Sequence, residues 1–255
     1  MTNRTVEMYE IRIPLEAVKK LSDEDRFSYY LLGHIFNELM SLQKLIAFAL
    51  PKHDDTRPAR LRPEHAQAMF LFRLASAKIW EAIKAIRENK HLASTLLNLV
   101  LPKMSGGRER LKTLNAAVNA AKWLSPMRNG MGFHMPTFEQ WRPYLVPDDA
   151  WVDDSVFLSD RSGNTFYDAA DTIAEAWMFS QYGLPNARDA VEPLIGQMIE
   201  LLATMNTFLE DALGTLIGEV LLDGADGRRS VGKVSSPDFE RVSIPFWTAM
   251  KPRKS

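Results

Sequence analysis

An all-α fold is predicted for this chain. Apolar residues recur in steps of three and four along most of its length, proline and glycine fall between those runs, and strand-like alternation is nearly absent. The expected architecture is a helical bundle with a long C-terminal helix and one irregular excursion over about 135–165. A single helical domain is expected over residues 1–222, followed by a tail over 223–255 that is partly mobile. With 255 residues, 46% hydrophobic and 25% charged, one good-sized core can be built. A formal net charge of -1 argues against coating nucleic acid electrostatically, so any RNA contact should be local. Cysteine is absent, which excludes disulfides, a thiolate nucleophile and a Cys-ligated metal.

Taken in order, Glu10 to Val18 is a short strand or a helix entry made irregular by Pro14. Ser22-Asp23-Glu24-Asp25 carries the marks of a helix N-terminus, a capping hydroxyl followed by acidic residues that the helix dipole favours. The helix after it has a stripe at Leu31, Ile35, Leu39, Leu42, Ile46 and Ala49, and Pro51 should end it. Lys52 to Pro63 is basic, proline-punctuated and aperiodic, and is expected to be an exposed connection. A helix from near Glu64 should bury Met69, Phe70, Leu74, Ala77, Trp80 and Ile83, with a break at Asn89-Lys90-His91. His91 to Leu101 is a shorter apolar segment closed by Pro102. Ser105-Gly106-Gly107 turns into a helix over Arg108 to Leu124 that leads into Arg128. After the excursion, helices are expected from about Tyr167 to Tyr182 and from Ala187 to Leu222; the second is long enough for part of it to pack on another subunit. Phe246 and Trp247 should dock the tail.

The stretch with most chemistry is Arg128-Asn129-Gly130-Met131-Gly132-Phe133-His134. An arginine grips phosphate oxygens with a planar fork, and a histidine moves a proton near neutral pH. In one continuous helix, residues six apart would lie about 240° apart around the axis and could not face one phosphate. Gly130 and Gly132 supply the freedom to bend, or a two-fold dimer sets Arg128 of one subunit beside His134 of the other. Spacing alone is weakly selective, since Arg60 and His65 repeat it, but there Leu61 follows the arginine and Pro63 interrupts, so that pair is read as a decoy. In the bland reading, Arg128 caps the carbonyls of its helix and His134 is a turn residue beside Pro136.

The Arg128 stretch resembles the signature of the HEPN superfamily, in which an arginine, a following polar residue and a histidine after four to six positions form the active site of a metal-independent ribonuclease. The resemblance is specific to about seven residues, which follow three expected helices, as family members usually place them. It implies a helical bundle of the HEPN type and a homodimer with a composite cleft, with RNA as substrate and no metal or other cofactor. It further implies a toxin or antiviral-defence effector, with an antitoxin or regulatory protein as partner. The 2′-hydroxyl of RNA would be the nucleophile, His134 the general base or acid, Arg128 the stabiliser of transition-state charge, and Asn129 an orienting hydrogen-bonding group. The alternative is a non-catalytic helical dimer module that binds a nucleotide, RNA or a partner protein; a plain scaffold is a third class.

Supporting roles are expected for His34, Asn37 and Glu38, which share one helix face and would line the Arg128 cleft, and for Glu81, which would pair with Arg128. Structural pairing or simple exposure is the competing reading for each. Glu88 and His91 have Glu-x-x-His spacing, but a di-iron bundle needs two such pairs, so no metal is expected. Ser41 with Lys44 lacks the accompanying motifs of penicillin-recognising enzymes, and Asp223 with Asp226 does not complete a calcium loop. The start lacks the apolar run of a signal peptide, and the longest apolar stretches fall short of a membrane span, so a cytoplasmic protein is expected.

Overall fold

The first strong helix-start signal in the chain does cap a helix. In a computed structural model describing residues 4–128, 135–145, 155–160, 164–180 and 187–248, helix α2 (Asp23–Ala49) follows β1 (Arg4–Ile11) and α1 (Leu15–Lys19). The Ser22 hydroxyl accepts the Asp25 backbone N–H at 3.0 Å, and three acidic residues occupy the first turn. Ile35, Leu39, Leu42, Ile46 and Ala49 are buried as the spacing predicts, with Leu32 in place of the half-buried Leu31.

Helix α3 (Pro58–Glu88) begins six residues earlier than expected, so the connection read over Lys52 to Pro63 is partly helix. Pro58 sits at the first helical position, where a missing N–H costs nothing. Pro63 lies inside the helix and cannot donate to the Ala59 carbonyl four residues back. That carbonyl is taken instead by the indole N–H of Trp247, at 2.8 Å. On this helix Met69, Ala77 and Ile83 are buried as expected, whereas Phe70 is exposed and Phe72 fills the inward position. The inward series runs 69, 72, 76, 79, 83, and Phe70 lies about 100° of helix rotation from Met69.

Asn89 caps α4 (Lys90–Thr95), its side chain accepting the N–H groups of His91 and Leu92, both at 3.1 Å. One wider turn, Leu96–Val100, follows. Gly106, with φ of 64°, opens α5 (Gly107–Ala120). The helix expected through Leu124 stops at Ala120 and resumes as α6 (Leu124–Met127). The break lets Trp123 turn inward: it is buried, its ring lies 5.5 Å from Phe72, and its indole N–H donates to Gln197 at 2.9 Å.

The excursion contains α7 (Phe138–Trp141), opened by a reciprocal Thr137 and Gln140 capping box, and an antiparallel pair β2 (Val156–Leu158) and β3 (Thr165–Tyr167). Helix α8 (Asp168–Ser180) and the long α9 (Ala187–Thr215) follow, the latter running on through a wider turn, Leu216–Leu221. Asp223 and Gly224 adopt φ of 50° and 77°, and the chain returns as β4 (Arg228–Ser236), antiparallel to β1 with a bulge across Met8 and Tyr9. The fold is therefore predominantly helical, as expected, with two small sheets among the described residues that the sequence did not announce. The β1 and β4 partners lie more than 200 positions apart and carry charges among their apolar residues, so no local pattern announces the pairing.

The chain forms two compact units. The first comprises Met1–Gln43, Lys78–Lys122 and Ile199–Val242. Its core includes Leu32, Leu39, Ile79, Leu92, Leu96, Met205 and Leu209. Thr95 donates to Asp25 at 2.7 Å and contacts the buried Ser28 hydroxyl at 3.0 Å, tying α4 to α2. The second unit comprises Lys44–Ala77, Trp123–Met198 and Ser243–Ser255. Its core includes Met69, Phe72, Leu124, Met127, Phe166, Trp177 and Met198. Residues 243–248 are stapled to this unit, as expected for Phe246 and Trp247. The Ile244 N–H donates to the Phe48 carbonyl at 2.9 Å, and the buried Asn164 side chain donates to the Thr248 carbonyl at 2.6 Å while accepting its N–H at 3.1 Å. Among the described residues, no helix is long and apolar enough to cross a membrane.

Two stability predictions follow from these contacts. Trp247→Phe should cost about 0.5–1 kcal/mol by removing the hydrogen bond to the exposed Ala59 carbonyl. In a Pro63→Ala background the cost should shrink, because residue 63 then supplies the missing N–H; urea unfolding of the double-mutant cycle reads the coupling. Gly107→Ala would set a Cβ 2.7 Å from the Leu101 carbonyl oxygen, so a loss of about 1–3 kcal/mol is expected in the same assay.

Candidate functional site

Helix α6 positions Arg128. Leu124 and Met127 are buried and anchor the short helix, and Arg128, half-buried, continues it with φ of −60° and ψ of −49°. Its guanidinium is thus carried at the helix C-terminus by an apolar plug. Asn129 and His134, expected to complete the site, lie outside the described residues.

The supporting residues belong to the first unit, whereas Arg128 belongs to the second. His34 and Asn37 line one open groove of about 610 Å³ with Tyr29, Tyr30 and Glu210. Gly33 and Gly214 also line it and leave that stretch without side chains. Burial pushes the Tyr29 phenol up from its ordinary pKa. Glu38 is 3.8 Å from His34 but accepts from Lys78 at 2.7 Å, so its main partner is the lysine. Glu81 is half-buried on α3.

A second cleft, of about 850 Å³, escaped the sequence reading and lies within the second unit. Arg57, Arg60 and Glu64 at the start of α3 form one wall, and Phe157, Leu158 and Trp247 form another. A chain of polar contacts organises the charged wall. Arg57 grips Asp55 with Nε at 2.9 Å and Nη2 at 2.6 Å, and Arg60 adds Nη1 at 3.2 Å. The Arg57 guanidinium, helped by Arg60, holds the Asp55 carboxyl well below the usual range. Buried Glu64 meets His53 Nε2 at 2.6 Å and Arg60 at 3.6 Å. Because His53 Nδ1 accepts the Asp55 backbone N–H at 3.2 Å, the imidazole proton sits on Nε2 and is donated to Glu64. Arg60 and His65, set aside as a decoy, thus have separate places: Arg60 lines this cleft, while burial holds the His65 imidazole below its ordinary pKa. The only sequence signal for the cleft was the density of arginines before Pro63, which the misplaced helix start obscured.

A further acidic pair lies on α8. Burial, reinforced by Asp171 one turn away, raises the Glu175 carboxyl from 4.5 to about 7, with Arg73 opposing; burial raises Asp171 as well. No group of three or more His, Cys, Asp or Glu side chains among the described residues is placed to hold a metal ion.

Glu175 binds its proton more tightly in the folded than in the unfolded chain. The resulting stability is complete below pH 4.5 and is lost as pH rises through about 7, amounting to roughly 3 kcal/mol. His65, held low, pulls oppositely over an overlapping range, so the informative quantity is the difference between wild type and Glu175→Gln. Urea unfolding at pH 5 and pH 8 should show the variant gaining stability relative to wild type at the higher pH. No family model, curated protein or solved structure matches the chain.

Proposed function

We propose that this protein is a HEPN-like, metal-independent endoribonuclease acting as a homodimer. The observation that carries the reading is the Arg128-Asn129 pair with His134 five positions after the asparagine and two glycines between. Support comes from a predominantly helical fold and from the half-buried placement of Arg128 at the end of an anchored helix. In the reaction, His134 takes the proton of the RNA 2′-hydroxyl and the 2′-oxygen attacks the adjacent phosphorus. The bond from phosphorus to the 5′-oxygen breaks, that oxygen takes a proton from water, and a 2′,3′-cyclic phosphate remains. Arg128 stabilises the negative charge that grows on the phosphoryl oxygens, and Asn129 orients one of the pair. Cellular roles consistent with this chemistry are a toxin held by an antitoxin, or an effector of antiviral defence held by a regulatory protein.

Purified protein should cut single-stranded RNA in EDTA, leave cyclic phosphate ends, and spare the DNA of the same sequence. His134→Ala should lower the rate by about 10²–10⁴ and Arg128→Ala by about 10²–10³, with the circular dichroism of both unchanged. Retention of RNA without turnover by the wild type would instead mark a binding module.

A further inference from the structure

The geometry points to a second ligand site: we propose that the cleft walled by Arg57, Arg60, Phe157 and Trp247 binds a nucleotide unit, the phosphate on the two arginines and the base against the aromatic wall. None of these residues belongs to the Arg128 motif, so the inference stands apart from the nuclease reading.

The charged groups are sorted by depth. The Arg57 and Arg60 side chains are 78% and 43% exposed, whereas Asp55 and Glu64 are 18% and 9% exposed. The carboxylates therefore face inward and the guanidiniums outward, and an approaching ligand meets positive charge although the four groups sum to zero. His53 is held between the Asp55 backbone N–H, on Nδ1, and Glu64, on Nε2.

The arginines are also prepared for a second acceptor. Arg57 spends Nε and Nη2 on Asp55, and Arg60 spends Nη1 on Asp55 and directs Nε to Glu64. Nη1 of Arg57 and Nη2 of Arg60 take no part in these bonds. A phosphate, with several acceptor oxygens, suits two fixed forks, and the ordering cost of both side chains is already met by Asp55.

The opposite wall is a rigid apolar platform. Trp247 is fastened through its N–H to Ala59 and packs edge-on against Phe246 at 5.2 Å between ring centroids. Phe157 stacks parallel on Phe166 at 6.4 Å. Val156 and Leu158 flank it, both exposed. A planar base has this kind of surface to stack on, and the volume of about 850 Å³ lies within the ordinary range for a small-molecule site. Guanidiniums beside a ring platform recognise a nucleotide whether it is free or part of an RNA strand.

Binding should be measured with the full chain by calorimetry across a salt series, using AMP as one probe and an uncleavable 2′-O-methyl ten-residue RNA as the other. Tighter binding of AMP assigns the cleft to a free nucleotide; tighter binding of the oligonucleotide assigns it to an RNA strand. For the tighter probe, Arg57→Ala should weaken binding about tenfold and reduce the slope of log affinity against log salt by about 1. Trp247→Leu should weaken it about five- to a hundredfold. Lys112→Ala, on the exposed face of α5, should leave it unchanged. The proposal is overturned if neither probe binds, if Arg57→Ala and Trp247→Leu bind as the wild type does, or if Lys112→Ala weakens binding as much as they do. Absence of RNA cleavage by the wild type with this binding present would sink the nuclease reading and leave the cleft intact.

Discussion

A single missing hydrogen-bond donor organises the second unit. Pro63 leaves the Ala59 carbonyl without its helical donor on the exposed face of the helix start. Trp247 supplies the donor from a segment almost 190 residues away, and with it come Ile244, Phe246 and Thr248, each fastened by its own contact. The docked segment then forms one side of a cleft whose other side is the first turn of the same helix. A residue that ordinarily breaks helices here fixes where the 244–248 segment is held.

The electrostatics of the same helix start follow a related logic. Asp55 and Glu64 are largely withdrawn from water, and a buried carboxylate needs donors. Arg57, Arg60 and His53 supply them at short sequence separation, so local geometry resolves the burial. Arg62 meets buried Asp168 in the same manner from the next turn, joining the start of α3 to the start of α8. The acidic pair on α8 has no such compensation. Asp171 and Glu175 share Arg73, which does not offset their burial, and Glu175 therefore holds its proton near neutrality.

Arg128 illustrates how a motif depends on its support. Its helix is a single turn, too short to be stable alone, and persists because Leu124, Met127 and the neighbouring Trp123 are sunk into the core. Trp123 reaches that position only because α5 ends at Ala120. The break separates α5 from the turn that carries the arginine, and it places the aromatic anchor immediately ahead of it.

Several helix starts and stops and much of the inward face were determined by the sequence itself. Ser22 and Asn89 cap where their side chains dictate, Pro51 and the 223–224 turn end helices, and Leu39, Ile46, Met69 and Ile83 face inward by spacing. These are short-range effects, decided within one or two turns of backbone. The pairing of β1 with β4, the docking of Trp247, the inward turn of Trp123 and the charged cleft at Arg57 and Arg60 were decided only in three dimensions. Each depends on a partner tens to hundreds of positions away, and a donor or a ring does not reveal from its own neighbours which distant acceptor or face it will satisfy. The same limit applied to His34, Asn37 and Glu38. Their common helix face was readable, but the groove they border and the lysine that engages Glu38 come from other stretches of chain.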